Sequence, residues 1–210
     1  MLTVLVASSK GGCGKSTLVT QLASHWSQAG KRTAIVDADR QQSSYRWAAR
    51  RPEGVPGVLA VEGGRKALGK LPDDTERALI DTPAGVTERE LEPYLETADV
   101  LLVPVLPSSF DMDATLAFVE ELGRIPRIKR GKLPVALVAN RLKPWTHASQ
   151  DAVEQLGQLV PFPIAAQLRD SQAYVLLAAL GKGIFDYHSE NVRSHQEDWK
   201  ALLRWIKRAH

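Results

Sequence analysis

Apolar positions along the chain follow two periods, and the switches between them divide it into alternating elements. Residues 3–7 form a short uninterrupted apolar run, which predicts a buried strand. After a glycine-rich turn, Leu18, Leu22 and Trp26 recur at helical spacing across residues 18–29, and the pattern stops at Gly30. The alternation then continues. Residues 33–36, 77–80, 100–105 and 135–139 predict strands, with a weaker one at 58–61 and a short final one at 161–164. Helices are predicted over 43–50, 65–71, 111–125, 149–159, a segment ending at Leu180, and 195–207. Proline, glycine and aspartate break the pattern at 51–57 and 72–74. Val100-Leu101-Leu102-Val103-Pro104-Val105 has no polar interruption, as expected of a parallel strand covered on both faces. The reading is one domain, residues 1–210, with a three-layer α/β/α architecture and a mostly parallel twisted sheet.

The turn between the first strand and first helix reads Ser8-Ser9-Lys10-Gly11-Gly12-Cys13-Gly14-Lys15-Ser16-Thr17. Strand, glycine-rich turn and helix form the context of a phosphate-binding loop. Glycines let backbone N–H groups converge on an anion, and the helix start adds unpaired N–H groups and the positive end of its dipole. Lys15 then supplies a mobile charge for the outer phosphates, and the Ser16 hydroxyl is placed for Mg2+. The strict pattern G-x-x-x-x-G-K-[ST] is broken at its first glycine, where Ser9 stands. Cys13, a thiol in a glycine loop at a helix start, is expected to have a lowered pKa, to react with alkylating agents and to be shielded by ATP. Its plainer role is that of a small space-filler.

Other candidates follow strands, so all would gather on one sheet edge. Asp37-Ala38-Asp39 ends the second strand, and period two points both acids toward that edge for metal or water handling. Asp81 follows an apolar strand, the Walker B pattern of a carboxylate for water-mediated Mg2+ contact, with Thr82 a secondary candidate for the γ-phosphate region. Asn140-Arg141 ends the strand at 135–139.

Composition adds exclusions. Over 210 residues, 44% hydrophobic and 24% charged content is that of a globular protein with a sizeable core. One cysteine allows no internal disulfide, no apolar run reaches the ~18 residues of a membrane span, and the first strand leaves no room for a signal peptide. A cytoplasmic protein is expected. Net charge is +3 and pI about 9.0, which is compatible with nucleic acid without demonstrating it. Residues 123–134 carry Arg124, Arg127, Lys129, Arg130 and Lys132 without an acid, as a solvated loop or a nucleic-acid contact. In the last helix Trp199, Leu202, Leu203 and Ile206 share a face, with Lys200, Arg204, Lys207 and Arg208 mostly off it.

Lys10-Gly11-Gly12-Cys13-Gly14-Lys15-Ser16-Thr17, Asp37-Ala38-Asp39-Arg40-Gln41-Gln42 and Asp81-Thr82-Pro83-Ala84-Gly85 together resemble the ParA/MinD family of deviant Walker A ATPases. Gly183-Ile184-Phe185-Asp186-Tyr187 resembles the family's late loop. The short length looks most like the small plasmid-partition, ParF-like type. Arg40 departs from the family segment D-x-D-P-Q, where proline stands. The resemblance implies a P-loop fold with ATP and Mg2+ as cofactors and slow ATP hydrolysis. Lys10, Gly11, Gly12, Cys13, Gly14, Lys15, Ser16 and Thr17 would bind the nucleotide, with Asn140 at the adenine edge. Ser16, Asp37 and Asp81 would serve the metal, and Asp39 would orient the attacking water. Lys10 would reach across a seam to the partner's ATP, making a homodimer in the ATP state. Pro104, Pro107, Ser108 and Ser109 would lie near nucleotide and seam. The resemblance also implies non-specific DNA binding in the nucleoid, and a ParB-like or adaptor protein that stimulates hydrolysis. Arg169 and Arg193 fall in family regions that touch DNA, and Lys200, Arg204, Lys207 and the loop from Arg124 to Lys132 are further candidates. Such a protein segregates a plasmid, a chromosome region or a protein cargo. The alternative is a MinD-like membrane-surface ATPase, which the basic, tryptophan-containing last helix would suit. A metal-chaperone relative would need a cysteine pair, and only Cys13 is present.

Overall fold

The computed structural model describes residues 1–106, 108–143 and 146–210, and it turns the short apolar runs into seven strands of one sheet. These are β1 (Leu2–Val6), β2 (Thr33–Asp37), β3 (Leu59–Glu62), β4 (Arg77–Asp81), β5 (Val100–Val105), β6 (Val135–Leu142) and β7 (Ile164–Arg169). They lie in the order β3-β2-β4-β1-β5-β6-β7, and every pairing is parallel. Parallel neighbours cannot be joined by a tight turn, so the connections cross over as helices covering both faces. β1 sits between β4 and β5. From it the chain runs to β2 on one side and later crosses from β4 to β5 on the other, so a crevice opens at the carboxyl ends beside β1.

Period two is hidden inside the unbroken apolar strands. Leu2, Val4 and Val6 pack into one core with α1 (Lys15–Gln28), α2 (Ser43–Ala49), α8 (Gln172–Ala179) and α9 (Glu190–Ala209). Leu5 and Ala7 pack into the other, beneath α3 (Arg65–Leu68), α4 (Glu88–Leu95), α5 (Ser109–Arg124), α6 (Pro126–Lys129) and α7 (His147–Leu159). On α9, Trp199, Leu202 and Ile206 are buried, and Trp199 Nε1 donates to the Tyr174 hydroxyl at 3.0 Å.

Several elements differ from their sequence expectation for local reasons. β7 begins at Ile164, where the predicted strand ends, because Pro161 and Pro163 bring no N–H to a ladder. α4 was not expected, although its start carries a readable capping box. Thr87 N donates to Glu90 Oε2 at 2.9 Å, and Glu90 N returns a bond to Thr87 Oγ1 at 3.4 Å. The basic stretch 123–134 holds the short α6, with Pro126 in its first turn and Ile128 buried. Within it, Arg127 donates to the Leu95 carbonyl and Arg124 pairs with Glu120. α9 starts at Glu190 rather than at 195, and Ser109 opens α5 rather than extending the loop. Pro107 lies outside the described residues.

Arg51, read as part of a chain break, forms the most buried ion pair among the described residues. Its side chain is 3% exposed and that of Asp186 0%. Arg51 Nη1 and Nη2 donate to Asp186 Oδ2 and Oδ1 at 3.0 and 2.9 Å, while Gln28 Nε2 and Gly183 N add bonds of 2.9 and 2.7 Å. The cluster joins the end of α1, the segment after α2, and the short 3-10 turn Ile184–Asp186 before α9. Burial pushes the Asp186 carboxyl up, but the bonds from Arg51, Gln28 and Gly183 outweigh it and hold it below the ordinary carboxylate value. A depressed folded value means stability that is complete above the unfolded pKa of ~3.9 and is lost as pH falls through the folded one. Asp186→Asn strands the Arg51 charge and should cost about 3–5 kcal/mol at pH 7. Denaturant titrations should show that gap narrowing below pH ~4, as the parent protonates.

Candidate nucleotide site

The turn after β1 is braced from below. Ser8 Oγ donates to the Lys10 carbonyl at 2.8 Å and accepts from Cys13 Sγ at 2.9 Å and Lys15 Nζ at 3.3 Å. Gly11 and Gly12 stay exposed as the outer lip, Lys15 is buried and Lys10 half-buried. α1 then starts with no acidic residue in its first turn, so its N–H groups and positive dipole end are not offset by side-chain charge. Gly14 is required twice over. Its φ of +99° is left-handed, and a Cβ there would stand 2.1 Å from Asn140 Nδ2. That amide donates to the Cys13 carbonyl at 2.8 Å. Asn140 is aimed there by an irregular end to β6, where register with β7 breaks between Ala139 and Leu142 and Arg141 has φ 54°. Asn140 therefore straps the loop, a contact that sequence reasoning did not foresee. The Cys13 thiol is 5% exposed and turned inward onto Ser8 and the Lys10 carbonyl, so it fills space, contrary to the expectation of an accessible, reactive thiol.

Asp37 and Asp81 end adjacent strands in register, yet their surroundings differ. Asp37 spends its oxygens on protein donors: Oδ2 accepts from Ser44 Oγ at 2.8 Å and Tyr45 N at 2.9 Å, and Oδ1 from Asp39 N at 3.0 Å. It ties the turn after β2 to the start of α2. Asp39 is half-buried, with Oδ1 accepting from Gln41 N at 2.9 Å, and Gln42 closes the turn at φ 51°. Asp81 has both oxygens buried with no hydrogen-bond partner among the described residues. Burial pushes its carboxyl up to about 7. The Ser16 and Ser44 hydroxyls and the Lys15 charge oppose that rise, without either hydroxyl reaching hydrogen-bond geometry, while the Asp37 charge adds to it. Two orphaned carboxylate oxygens beside a serine hydroxyl suit a hard divalent cation. No group of three or more His, Cys, Asp or Glu able to hold a metal occurs among the described residues, so such an ion would take its remaining ligands from phosphate and water. Thr82 is fully buried with Oγ1 donating to the Val6 carbonyl at 2.9 Å, so it braces β1 instead of facing a γ-phosphate.

A cleft of about 510 Å3 adjoins the loop, lined by Thr17, Asn140 and Arg141 on one side and by residues 169–172 and α8 on the other. The sequence reading missed Ser171, Gln172 and Tyr174 here, though Ser171 is a legible N-cap, accepting from Ala173 N at 3.2 Å. Another cleft, about 310 Å3, runs between α1 and α2 past Ser16, Gln21 and Arg46.

Of the four basic residues named as DNA candidates, Arg193, Lys200 and Arg204 are exposed along one face of α9, and Arg169 stands apart from them. Arg169 Nε and Nη2 donate to Asp198 Oδ2 and Oδ1 at 2.6 and 2.8 Å, and Nη2 also to the Ser194 carbonyl at 3.0 Å, so its charge is committed internally. Arg193 is exposed near the start of α9. Lys200 and Arg204 are exposed further along, with Arg204 about 16 Å from Arg193 along the axis. The strand starts at Leu2 and Arg77 share a cleft with Lys200 and Arg204, which puts these two at the amino edge of the sheet, away from the phosphate loop.

Asp81 gives a pH prediction for the nucleotide-free protein. Folded Asp81 keeps its proton up to about pH 7, whereas an unfolded aspartate loses it near ~3.9. Its contribution therefore destabilises increasingly as pH rises between those values, by at most about 1.4 kcal/mol per unit, and levels off above. Asp81→Asn should raise the melting temperature most at pH 8 and least at pH 5 in metal-free buffer. Added Mg-ATP should then stabilise the parent more than the variant.

Residues 4–184 match the model of the CobQ/CobB/MinD/ParA nucleotide binding domain. The maintenance of carboxysome distribution protein A of Halothiobacillus neapolitanus is 31% identical over 163 residues, 74% of each chain. Among solved structures, a Cyanothece McdA–ATP complex superposes with a TM-score of 0.75 at 16% identity, over 100% of this chain and 96% of that one. Aquifex aeolicus MinD in its complex with MinC gives 0.74 at 17% identity, over 99% and 96%. The solved structures carry the fold and the first two matches carry the kinship: with its Lys10–Lys15 loop at the head of a parallel sheet, the chain belongs to the CobQ/CobB/MinD/ParA family of nucleotide-binding proteins, as a P-loop ATPase of the ParA/MinD type.

Proposed function

We propose that this protein is a positioning ATPase that pairs with a second copy when ATP is bound, associates non-specifically with DNA, and distributes a plasmid, a chromosome region or a protein assembly. A ParB-like or adaptor partner would stimulate its hydrolysis. The observation that carries this reading is the loop itself: a second lysine, Lys10, stands ahead of the glycines in a chain whose 31%-identical relative is named for carboxysome distribution.

Lys15 and the backbone N–H groups from Gly11 to Thr17 hold the β- and γ-phosphates. Ser16 and Asp81 would hold Mg2+, which would neutralise charge developing on the phosphates. Asp39 orients water for in-line attack, and Asp37 serves by fixing the turn that carries Asp39. Asn140 keeps the loop closed, with the base in the adjoining cleft of about 510 Å3. Lys10 neutralises phosphate charge on the partner's nucleotide, which makes ATP the link between two copies. Lys200, Arg204 and Lys207 are the cations best placed for DNA, and doubling them in a dimer raises avidity through effective concentration. A MinD-like role on a membrane surface is disfavoured, because Trp199, Leu202 and Ile206 of α9 are spent on the core. No helix among the described residues is long and apolar enough to cross a membrane.

Three variants test the site. Lys15→Ala removes charge-assisted contacts worth roughly 1.5–3 kcal/mol each and should weaken ATP binding at least tenfold by calorimetry. Lys10→Ala should bind ATP as a monomer yet fail to dimerise in light scattering; normal dimerisation would sink the sandwich arrangement. Asp39→Ala should dimerise with ATP and hydrolyse it at a small fraction of the parent rate. Co-sedimentation with DNA should require ATP rather than ADP and vanish in high salt. Recruitment to liposomes without DNA binding would overturn the reading.

A further inference from the structure

A large cleft remains at the far end of the sheet. It measures about 480 Å3 and lies between the starts of β1 and β4, the last turns of α1, and the C-terminal half of α9. Leu2, where it begins, is about 13 Å along β1 from the phosphate-loop end. Its floor is apolar: Trp26, Leu203 and Ile206. Its rim is cationic: Arg77, Lys200, Arg204 and Lys207, with no acidic side chain among the lining residues. Lys200 is paired with Glu197 at 2.6 Å. Arg204 and Lys207 form no ion pair among the described residues. Arg77 stands 5.9 Å over the Trp26 ring, and its Nε–H is buried without an acceptor. Burial lowers the pKa of the nearby His25, so the positive charge comes from arginine and lysine.

An inorganic anion would leave the floor unused, and a neutral hydrocarbon would leave the cations unmatched. The arrangement suits a molecule with both parts. We propose that this cleft binds an amphipathic organic anion, a carboxylate or phosphate ester on an acyl or aryl body small enough for about 480 Å3. The head meets Arg77, Arg204 and Lys207, and the body lies on Trp26, Leu203 and Ile206, drawing α9 and α1 together. The site is separate from the phosphate loop and does not depend on how the nucleotide is used.

The probe is 8-anilinonaphthalene-1-sulfonate, titrated into the full chain with excess Mg-ATP present to fill the loop. Saturable one-to-one binding is expected. It should weaken at least fivefold in Arg77→Gln and at least tenfold in Leu203→Trp, which fills the floor. Because Leu203 carries no charge, Leu203→Trp should leave ATP and DNA binding unchanged; it also stands alone if Arg77→Gln does not fold. Competition by decanoate without recruitment of protein to phosphatidylglycerol vesicles assigns the site to free amphiphiles. Recruitment that Leu203→Trp abolishes assigns it to lipid headgroups. Non-saturable fluorescence, displacement by ATP, or binding equal to the parent's in Leu203→Trp would overturn the proposal.

Discussion

Parallel pairing of β1 between β4 and β5 decides where everything else can be. Parallel strands share a direction, so their carboxyl ends meet at one edge. The turn after β1 and Asp81 at the end of β4 are brought together by that pairing alone, with Val6 and Asp81 in register. β2, on the other side of β4, brings Asp37 to the same edge. Both faces must then be covered, and that covering buries Lys15, Asp37 and Asp81 at the strand ends. Burial and chemistry at the site thus have one cause.

That cause is also a cost. Asp81 sits under a lysine and beside another carboxylate with no donor aimed at either oxygen. Gln42 and Arg141 take left-handed backbone conformations on either flank of the loop. Such features are expected where a site is poised for a ligand, with compensation elsewhere. Away from the site stands the buried Arg51–Asp186 cluster. Its bonds tie α1, which grows from the phosphate loop, to the segment after α2 and to the turn before α9.

What was legible in the sequence follows from range. Runs such as residues 100–105 and the spacing of Leu18, Leu22 and Trp26 are local signals, and the strands and helices they predict are present. Loop and strand-end residues were legible because strand, glycine turn and helix are contiguous. Roles set by long-range contact were not. Nothing near Asn140 in sequence says that its amide will meet the Cys13 carbonyl, nor near Arg51 that Asp186 awaits it. Asp37 and Asp81 look equivalent as acids after strands, and only their donors separate them. Thr87 and Glu90 show that some local signals were present and unread.

Charge is where sequence reading overreaches in a physically instructive way. A net +3 and a scatter of arginines suggest a surface for polyanions. Yet Arg51 and Arg169 are tied to Asp186 and Asp198, Arg127 caps the Leu95 carbonyl, and Arg77 lies against Trp26. A planar guanidinium serves such packed positions better than an ammonium does, so arginine counts overstate the charge that faces solvent. Arg193, Lys200, Arg204, Lys207 and Arg208 stay outward on α9, and Lys200, Arg204 and Lys207 among them line the cleft at the edge opposite the phosphate loop. Cations on that edge do not compete with Lys15 for an anion at the phosphate loop, from which the length of the sheet separates them. The same separation explains why one helix can carry both kinds of residue. Its Asp198 is held by Arg169 beside the cleft at the phosphate loop, Trp199, Leu202 and Ile206 are packed into the core, and Lys200, Arg204 and Lys207 face outward between them.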